Sequence, residues 1–338
     1  MCLFGTRVPR GCIRGKSGAG CSILQLFVLL IIKIGMFIIK HRKLFLGLSA
    51  FFVIVSVVAM SFFGLRFGID FTGGSILEVE YSGVRPTIEN INSSLAEAQF
   101  TGFVTQETGE RGVIVRTTEL SEVRRGDLLT ALNPSGENSF EEKRFSLVGG
   151  VIGKELRDKA WIALLVTSLA IILYVAFAFR RVSEVMSSWV YGCVAVIALI
   201  HNVIIPTGVF AILGNYFVAY QIDVLFVTAL LAIFGFSVND TIVIFDRVRE
   251  NLRRNKEERT EKPFAEVVGE SVSQTMARSI NISLAIVLVL AALYVLGGSS
   301  TREFSLVLGL GVVFGTYSSI CFAAPLLVAA SRYFPKKS

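Results

Sequence analysis

"IDVLFVTALLAIFGFSVNDTIVIFDRVREN", residues 222–251, decides how this chain folds. Its first part, Ile222–Phe245, is apolar over a length that crosses a bilayer core of about 30 Å as a helix. Yet Asn239 and Asp240 stand side by side inside that run, while Asp246, Arg247 and Arg249 mark a solvated exit from it. A charge deep in a membrane helix costs at least about 2.5–3.5 kcal/mol on insertion scales, so the pair implies a polar interface within a bundle or with a partner.

Outward from this stretch the same pattern repeats. Of 338 residues, 53% are hydrophobic and only 17% charged, and the apolar surplus is gathered into runs. Six spans follow: Leu44–Phe63, Ala160–Phe179, Trp189–Leu213, Ile222–Phe245, Ile280–Leu296 and Phe304–Ala330, the last tilted or partly interfacial. The predicted class is an α-helical polytopic membrane protein with six transmembrane helices and a small external α+β domain. Lys40, Arg42 and Lys43, then Arg180 and Arg181, then the basic stretch from Arg247 to Lys262, and finally Lys336 and Lys337 all border spans on one side. Basic loops stay inside, which makes both termini cytoplasmic in a multi-pass membrane protein. The net charge of +7 therefore reads as topology rather than nucleic-acid binding.

The division that follows is an N-terminal extension at 1–35, an inner lead-in and first helix at 36–63, a polar external domain at 64–159, a five-helix region at 160–333 with a cytoplasmic loop at 246–277, and a tail at 334–338. Ile23–Ile39 is apolar but interrupted by Lys33 and flanked by basic clusters on both sides. It reads as an upstream extension or misplaced start before Met36, or as a re-entrant or interfacial helix. In the polar domain, "SILEVEYSG" alternates as a strand. "PTIENINSSLAEAQF" carries Ile88, Ile91, Leu95 and Ala98 on one helical stripe after Pro86. Two β-rich runs surround the turn in "GFVTQETGERGVIVRTT", "LSEVRRGDLLTAL" is a helix capped by Ser121, and "EEKRFSLVG" is a last strand. The order β-α-β-β-α-β is ferredoxin-like. The cytoplasmic loop reads as helical at both ends, and in it Ala265, Val268, Val272 and Met276 recur at helical spacing, a face for the membrane or a partner.

Chemistry is confined to the spans. No Walker A or GxSxG pattern occurs, the two histidines form no metal cluster, and the five cysteines show no CxxC spacing. The chain reads as neither an enzyme nor a cofactor or metal protein. Asp240 lies a few residues inside the inner end of its span, and Arg278 approaches from the same side, so the two reach similar depth. A buried carboxylate near a movable cation suits a proton relay; a permanent structural ion pair is the competing reading. His201 and Asn202, with Pro206 four residues on, read as an interhelical hydrogen-bonding pair.

"FGIDFTGGSILEVEY" (67–81), "GFSVNDTIVIFDRVREN" (235–251), "SVSQTMARSI" (271–280) and "GGSSTREFSLVLGLGVVFGTYSS" (297–319) together resemble the SecF family of the bacterial Sec protein-export machinery. The likeness runs in order from Phe37 to about Tyr333. It implies a partner, SecD, with a related six-helix core, membership of the resistance-nodulation-division superfamily, association with a SecY-type translocon and use of the proton gradient (sodium in some lineages) to promote preprotein export. It further implies that Asp240 and Arg278, with Asn239 beside them, belong to the ion-coupling set, the remaining acid coming from SecD. Gly68, Asp70, Phe71, Thr72, Gly73 and Gly74 carry the signature after the first span. His201–Asn202 departs from an expected His-Asp and removes one carboxylate. Half of a small-molecule efflux pump and a scaffold for translocon assembly are the alternative functions.

Overall fold

Each apolar run becomes a helix and the polar run becomes a sheet. The computed structural model describes residues 33–118, 120–133, 139–178, 188–217, 220–260 and 262–333; the expectations for residues 1–32, for Arg180, Arg181, and for the tail lie outside them. The described residues open on helix α1 (residues 33–40), turn at His41 and continue as α2 (Arg42–Phe63). A short α3 (Ile69–Thr72) leads into β1 (Gly74–Tyr81), α4 (Ile88–Glu97), β2 (Val104–Thr108), β3 (Gly112–Thr117), α5 (Glu122–Ala131) and β4 (Phe140–Val148). The remaining chain is α6 (Gly150–Ala178), α7 (Ser188–Tyr216), α8 (Val224–Glu257), α9 (Phe264–Leu296) and α10 (Ser299–Ser318). A π-helical turn (Ser319–Ala323) joins α10 to α11 (Ala324–Tyr333). Counting α10 through α11 as one span, six helical segments are long and apolar enough to cross a membrane.

The sheet has the order β2-β3-β1-β4 with every pair antiparallel, the ferredoxin-like arrangement expected from the element order. Thr87 and Ser121 cap α4 and α5 by accepting from the Asn90 and Arg124 amides at 3.4 Å each. One sheet face buries Leu77, Val79, Tyr81, Val113 and Val115 against Ile91, Leu95, Leu128 and Leu132 of the two helices. Alternation forces Ile76, Glu78, Ile114 and Arg116 onto the opposite face, toward the membrane helices.

One expectation holds and one changes. The loop at 246–277 is helical at both ends as expected: α8 continues to Glu257 and α9 begins at Phe264, leaving only the turn between them. Asn255 holds that turn, donating to the Lys262 carbonyl and accepting from the Lys262 amide, both at 3.1 Å. The face carrying Val268, Val272 and Met276 is not left for lipid or a partner: it is buried in the chain against Ile38, Ile39, Val248 and Leu252, with Ala265 half-buried at its edge. Apolar stripes on two antiparallel helices and on α1 satisfy one another first. Ile320, Ala323, Ala324, Leu327 and Val328 of the last span sit in the core.

Candidate functional site

Polar side chains gather at one level of the bundle. At 1.5 Å per residue, Ser49, His201, Asp240, Ser279, Ser283 and Thr316 lie about 20–26 Å below the domain-side ends of their helices. That depth falls in the half of a roughly 30 Å hydrocarbon core farther from the domain. Asp240 is 8% exposed. Its oxygens accept from the Ser279 hydroxyl and, at a long 3.5 Å, from the Thr316 hydroxyl. Thr316 is itself bonded to Ser283, and its single hydroxyl proton is shared between Asp240 and the Val312 carbonyl, which is 3.0 Å away. Among the described residues no cation lies within ion-pairing distance of Asp240, and Arg278 is exposed, acting on the carboxylate only through longer-range attraction. The permanent pair entertained from the sequence is therefore not formed in this structure. One residue's difference in helical register puts Arg278 on the outside of α9 while its neighbour Ser279 points in.

A cavity of about 20 Å³, room for one water, lies beside Asp240 between α8, α9 and α10, bordered by Ser283, Gly315 and Thr316. Asn239 borders it too, but on the exposed surface of the chain. Adjacent helical residues point about 100° apart, so Asp240 can face the bundle and Asn239 the surroundings.

A second set runs through α7. His201 Nδ1 lies 2.9 Å from Asn202 Oδ1, and Asn202 Nδ2 donates to Ser237 Oγ of α8 at 2.6 Å. Asn202 makes a hydrogen bond between helices, whereas the hydrogen bond of His201 stays within α7. Because an amide oxygen only accepts, Nδ1 donates in that contact, and Nε2 has no hydrogen-bond partner among the described residues. The ring stacks on Phe322 of the π-turn at 5.0 Å between centroids and on Tyr317 at 6.2 Å. Tyr317 OH meets Ser49 of α2 at 3.2 Å, and Thr241 meets Ser319 of the π-turn at 3.0 Å. Ser49, Ser279, Ser283, Thr316, Tyr317 and Ser319 were not singled out in the sequence. A signal for the last three existed, a dense run of hydroxyls in "GTYSS". The insertion of a π-turn there rotates the following residues, which is where such turns commonly serve function.

The signature after α2 forms a joint instead of a reactive site. Phe67 bridges to Ile222 as a short parallel strand contact, the Gly68 amide bonding to the Ile222 carbonyl at 2.9 Å. Asp70 accepts from the Val224 amide at 3.1 Å and Asp223 from the Phe226 amide at 2.7 Å, so two carboxylates cap the start of α8. Phe71 is buried with Phe226 and Leu230, and Thr72 donates to the Gly68 carbonyl at 3.0 Å. Gly73 has φ of 76°, and a Cβ there would sit 2.7 Å from Gly150 Cα, so the position requires glycine twice over. Gly74 follows directly as the first residue of β1. The joint thus ties the end of the first span, the start of α6 and the start of α8 to the sheet.

These features define a polytopic membrane protein with a ferredoxin-like insertion and a polar layer inside its helices. Residues 128–332 match the family "Protein export membrane protein SecD/SecF, C-terminal", and residues 58–83 match the SecD/SecF GG motif. The protein translocase subunit SecF of Thermobaculum terrenum is 41% identical over 86% of this chain and 93% of its own. The protein translocase subunit SecDF of Brucella abortus is 33% identical over 84% of this chain, which spans 36% of that longer protein. The crystal structure of SecDF from Thermus thermophilus, a translocon-associated membrane protein, superposes with a TM-score of 0.74 at 32% identity. It covers 87% of this chain, which accounts for 38% of that one. The chain belongs to the SecD/SecF family of protein export membrane proteins, whose SecF members are protein translocase subunits.

Proposed function

We propose that this chain is the SecF-type half of a two-part export device, paired with a SecD-type chain. The pair uses the proton gradient to promote preprotein movement through a SecY-type channel. Asp240 is the proton-carrying group, Arg278 the mobile countercharge and Asn239 a contact toward the partner half; His201 and Asn202 hold α7 to α8. The observation that carries this reading is a buried carboxylate, bonded only to hydroxyls among the described residues, beside a water-sized cavity in the membrane layer. Hydroxyl partners stabilise the anion without neutralising it, so it remains free to gain and lose a proton. An exposed Asn239 at membrane depth favours a covering chain, because an amide facing lipid leaves its hydrogen bonds unmade. That relatives named SecDF carry the matching region within one longer chain supports a SecD-type partner. The basic borders of the spans support a bacterial inner-membrane location with both termini in the cytoplasm. Preproteins and the surrounding lipid complete the set of partners, and neither an enzymatic step nor a cofactor is part of the reading.

Affinity purification of the tagged chain from its native membranes tests the pairing. A SecD-type chain and a SecY-type channel are expected in the eluate, with gradient-stimulated export restored on reconstitution. Recovery of an outer-membrane channel in their place overturns it.

A further inference from the structure

One buried hydroxyl of the polar layer keeps its hydrogen unused within the chain. Along α8 and α9 the buried hydroxyls of Thr241, Ser271 and Ser273 donate to carbonyls one turn back, those of Ser237, Val267 and Gly269. The Ser237 side chain does otherwise. It is 2% exposed, and its oxygen accepts from Asn202 Nδ2 of α7 at 2.6 Å. A hydroxyl that accepts in this way still has its single hydrogen to give, and among the described residues Ser237 gives it to none.

The arrangement is set from α7. Asn202 is fully buried, and His201 Nδ1 donates to its Oδ1 at 2.9 Å. An amide has one accepting end and one donating end, so a donor on Oδ1 turns Nδ2 toward Ser237. The reversed amide would set two donors against each other at His201. The imidazole is held in place by its stacking on Phe322 and Tyr317, and its side chain makes no other hydrogen bond among the described residues. Gly315 of α10 closes over the contact: a Cβ there would lie 3.5 Å from Ser237 Cβ and 3.9 Å from Asn202 Nδ2. Ser237 and Asp240 are three residues apart on α8 and so share a face, and both line the small cavity together with Ser283 and Thr316. Four polar side chains around room for one water meet the two to four hydrogen bonds that a buried water needs. A water seated there accepts from Ser237 and donates to Asp240.

We propose that His201 is a positioning residue for Asp240: its Nδ1 hydrogen fixes the Asn202 amide, the amide turns the Ser237 hydroxyl hydrogen into the cavity, and a water there relays that donor to the carboxylate. The role rests on Asp240 being the proton-carrying group, and it gives α7 a part in the proton cycle beyond packing against α8. Donors directed at a carboxylate favour its charged form. Without this one, Asp240 holds its proton to higher pH while still able to cycle it. Arg278 of α9 attracts the carboxylate from a distance, and Tyr317 and Cys321 of the last span are the other titratable side chains at this level among the described residues. All three stay in place in the variants that test the role.

The full chain in lipid vesicles is treated with a hydrophobic carbodiimide, which reacts with a protonated carboxyl. Labelling of the peptide that carries Asp240 is followed by mass spectrometry between about pH 5 and about pH 9, the upper range of carboxyl groups in folded proteins. In the parent, labelling should fall through a midpoint as the pH rises, and Asp240→Asn should remove it. His201→Phe keeps a ring to stack on Phe322 and loses the donor; the midpoint should move about one unit to higher pH, a tenfold change in proton affinity. His201→Asn sets an amide N–H where Nδ1 stands and should return the midpoint to the parent value. His201→Gln, whose amide reaches the Nε2 position, should behave as His201→Phe does. Ser237→Ala removes the hydroxyl itself, should give the same shift, and decides the question if His201→Phe does not fold. A midpoint unmoved in the folded His201→Phe or Ser237→Ala chain overturns the role and leaves Asp240 its proton. Equal shifts in His201→Phe and His201→Asn overturn it too, because they make the imidazole itself the requirement. A parent chain in which Asp240 is labelled at no pH defeats the proton-carrying reading, and this role with it.

Discussion

At the scale of single residues, the question is what Asp240 requires of its neighbours. Two hydroxyls bond it and Arg278 does not pair with it, so each charge stands in its own setting. Asp240→Asn nearly preserves shape and cannot cycle a proton. The expected outcome is a normally assembled complex whose gradient-stimulated export falls at least about tenfold, the equivalent of ~1.4 kcal/mol or more in the coupled step. Arg278→Ala should also leave assembly intact, because an exposed cation strands no buried partner, while reducing coupling. A structural pair predicts something else: loss of either partner alone costs about 3–5 kcal/mol and lowers yield, and Asp240→Asn/Arg278→Gln restores both yield and export. Normal gradient-driven export from that double variant excludes the relay. Ser237→Ala tests the neighbouring contact. It leaves the Asn202 amide buried and short of an acceptor, and should cost about 1–3 kcal/mol, read as a lower Tm in detergent with coupling retained.

At the scale of elements, the α8–α9 hairpin and α1 form a unit beyond the membrane layer. Asn251 joins the two long helices, donating to Ser271 Oγ at 2.8 Å and to Gln274 Oε1 at 3.1 Å. α1 packs so closely on α9 that a Cβ at Gly35 would lie 2.6 Å from the Gly269 carbonyl oxygen. Backbone cannot yield as a flexible side chain does, so Gly35→Leu should cost about 1–3 kcal/mol through overpacking. The stretch before Lys40 thus has a role in the fold from Gly35 onward. A chain starting at Met36 keeps buried Ile38 and Ile39 and is expected to insert and function as the full chain does. One starting at Arg42 loses them and should show a lower Tm and a hairpin more open to protease. Equal stability of the two truncations contradicts the packing argument.

For the whole molecule, the α+β domain and the α8–α9 turn lie at opposite ends of the spans. A reporter near Gly109, in the exposed turn between β2 and β3, should read as external, and one near Glu258 as cytoplasmic. Finding both on one side of the membrane defeats the six-span arrangement. α6 and α9 leave most of their apolar surface uncovered, with Trp161, Leu165, Leu169, Leu284 and Leu288 exposed. Such faces suit lipid or another membrane chain, whereas α8, with Ala229, Ile233, Ile244 and Phe245 fully enclosed, is the centre of the bundle.

What the amino-acid order determined by itself was everything that depends on local period and local chemistry. Twenty-residue apolar runs marked six spans because a helix must satisfy its own backbone in lipid. Ser121 announced its helix because a hydroxyl caps an amide three residues away. "FGIDFTGG" and "SVND" marked their places through residue types costly anywhere else. The three-dimensional arrangement alone decided which faces meet. Ser49, Thr316 and Ser319 look like ordinary small polar residues in apolar helices, where a hydroxyl readily bonds its own i−4 carbonyl, and only the bundle brings them, with Tyr317, to the level of Asp240. The exposure of Arg278 beside buried Ser279, and of Asn239 beside buried Asp240, turns on a 100° step around a helix axis. Hydropathy averaged over a span cannot resolve that step, and packing against neighbouring helices does.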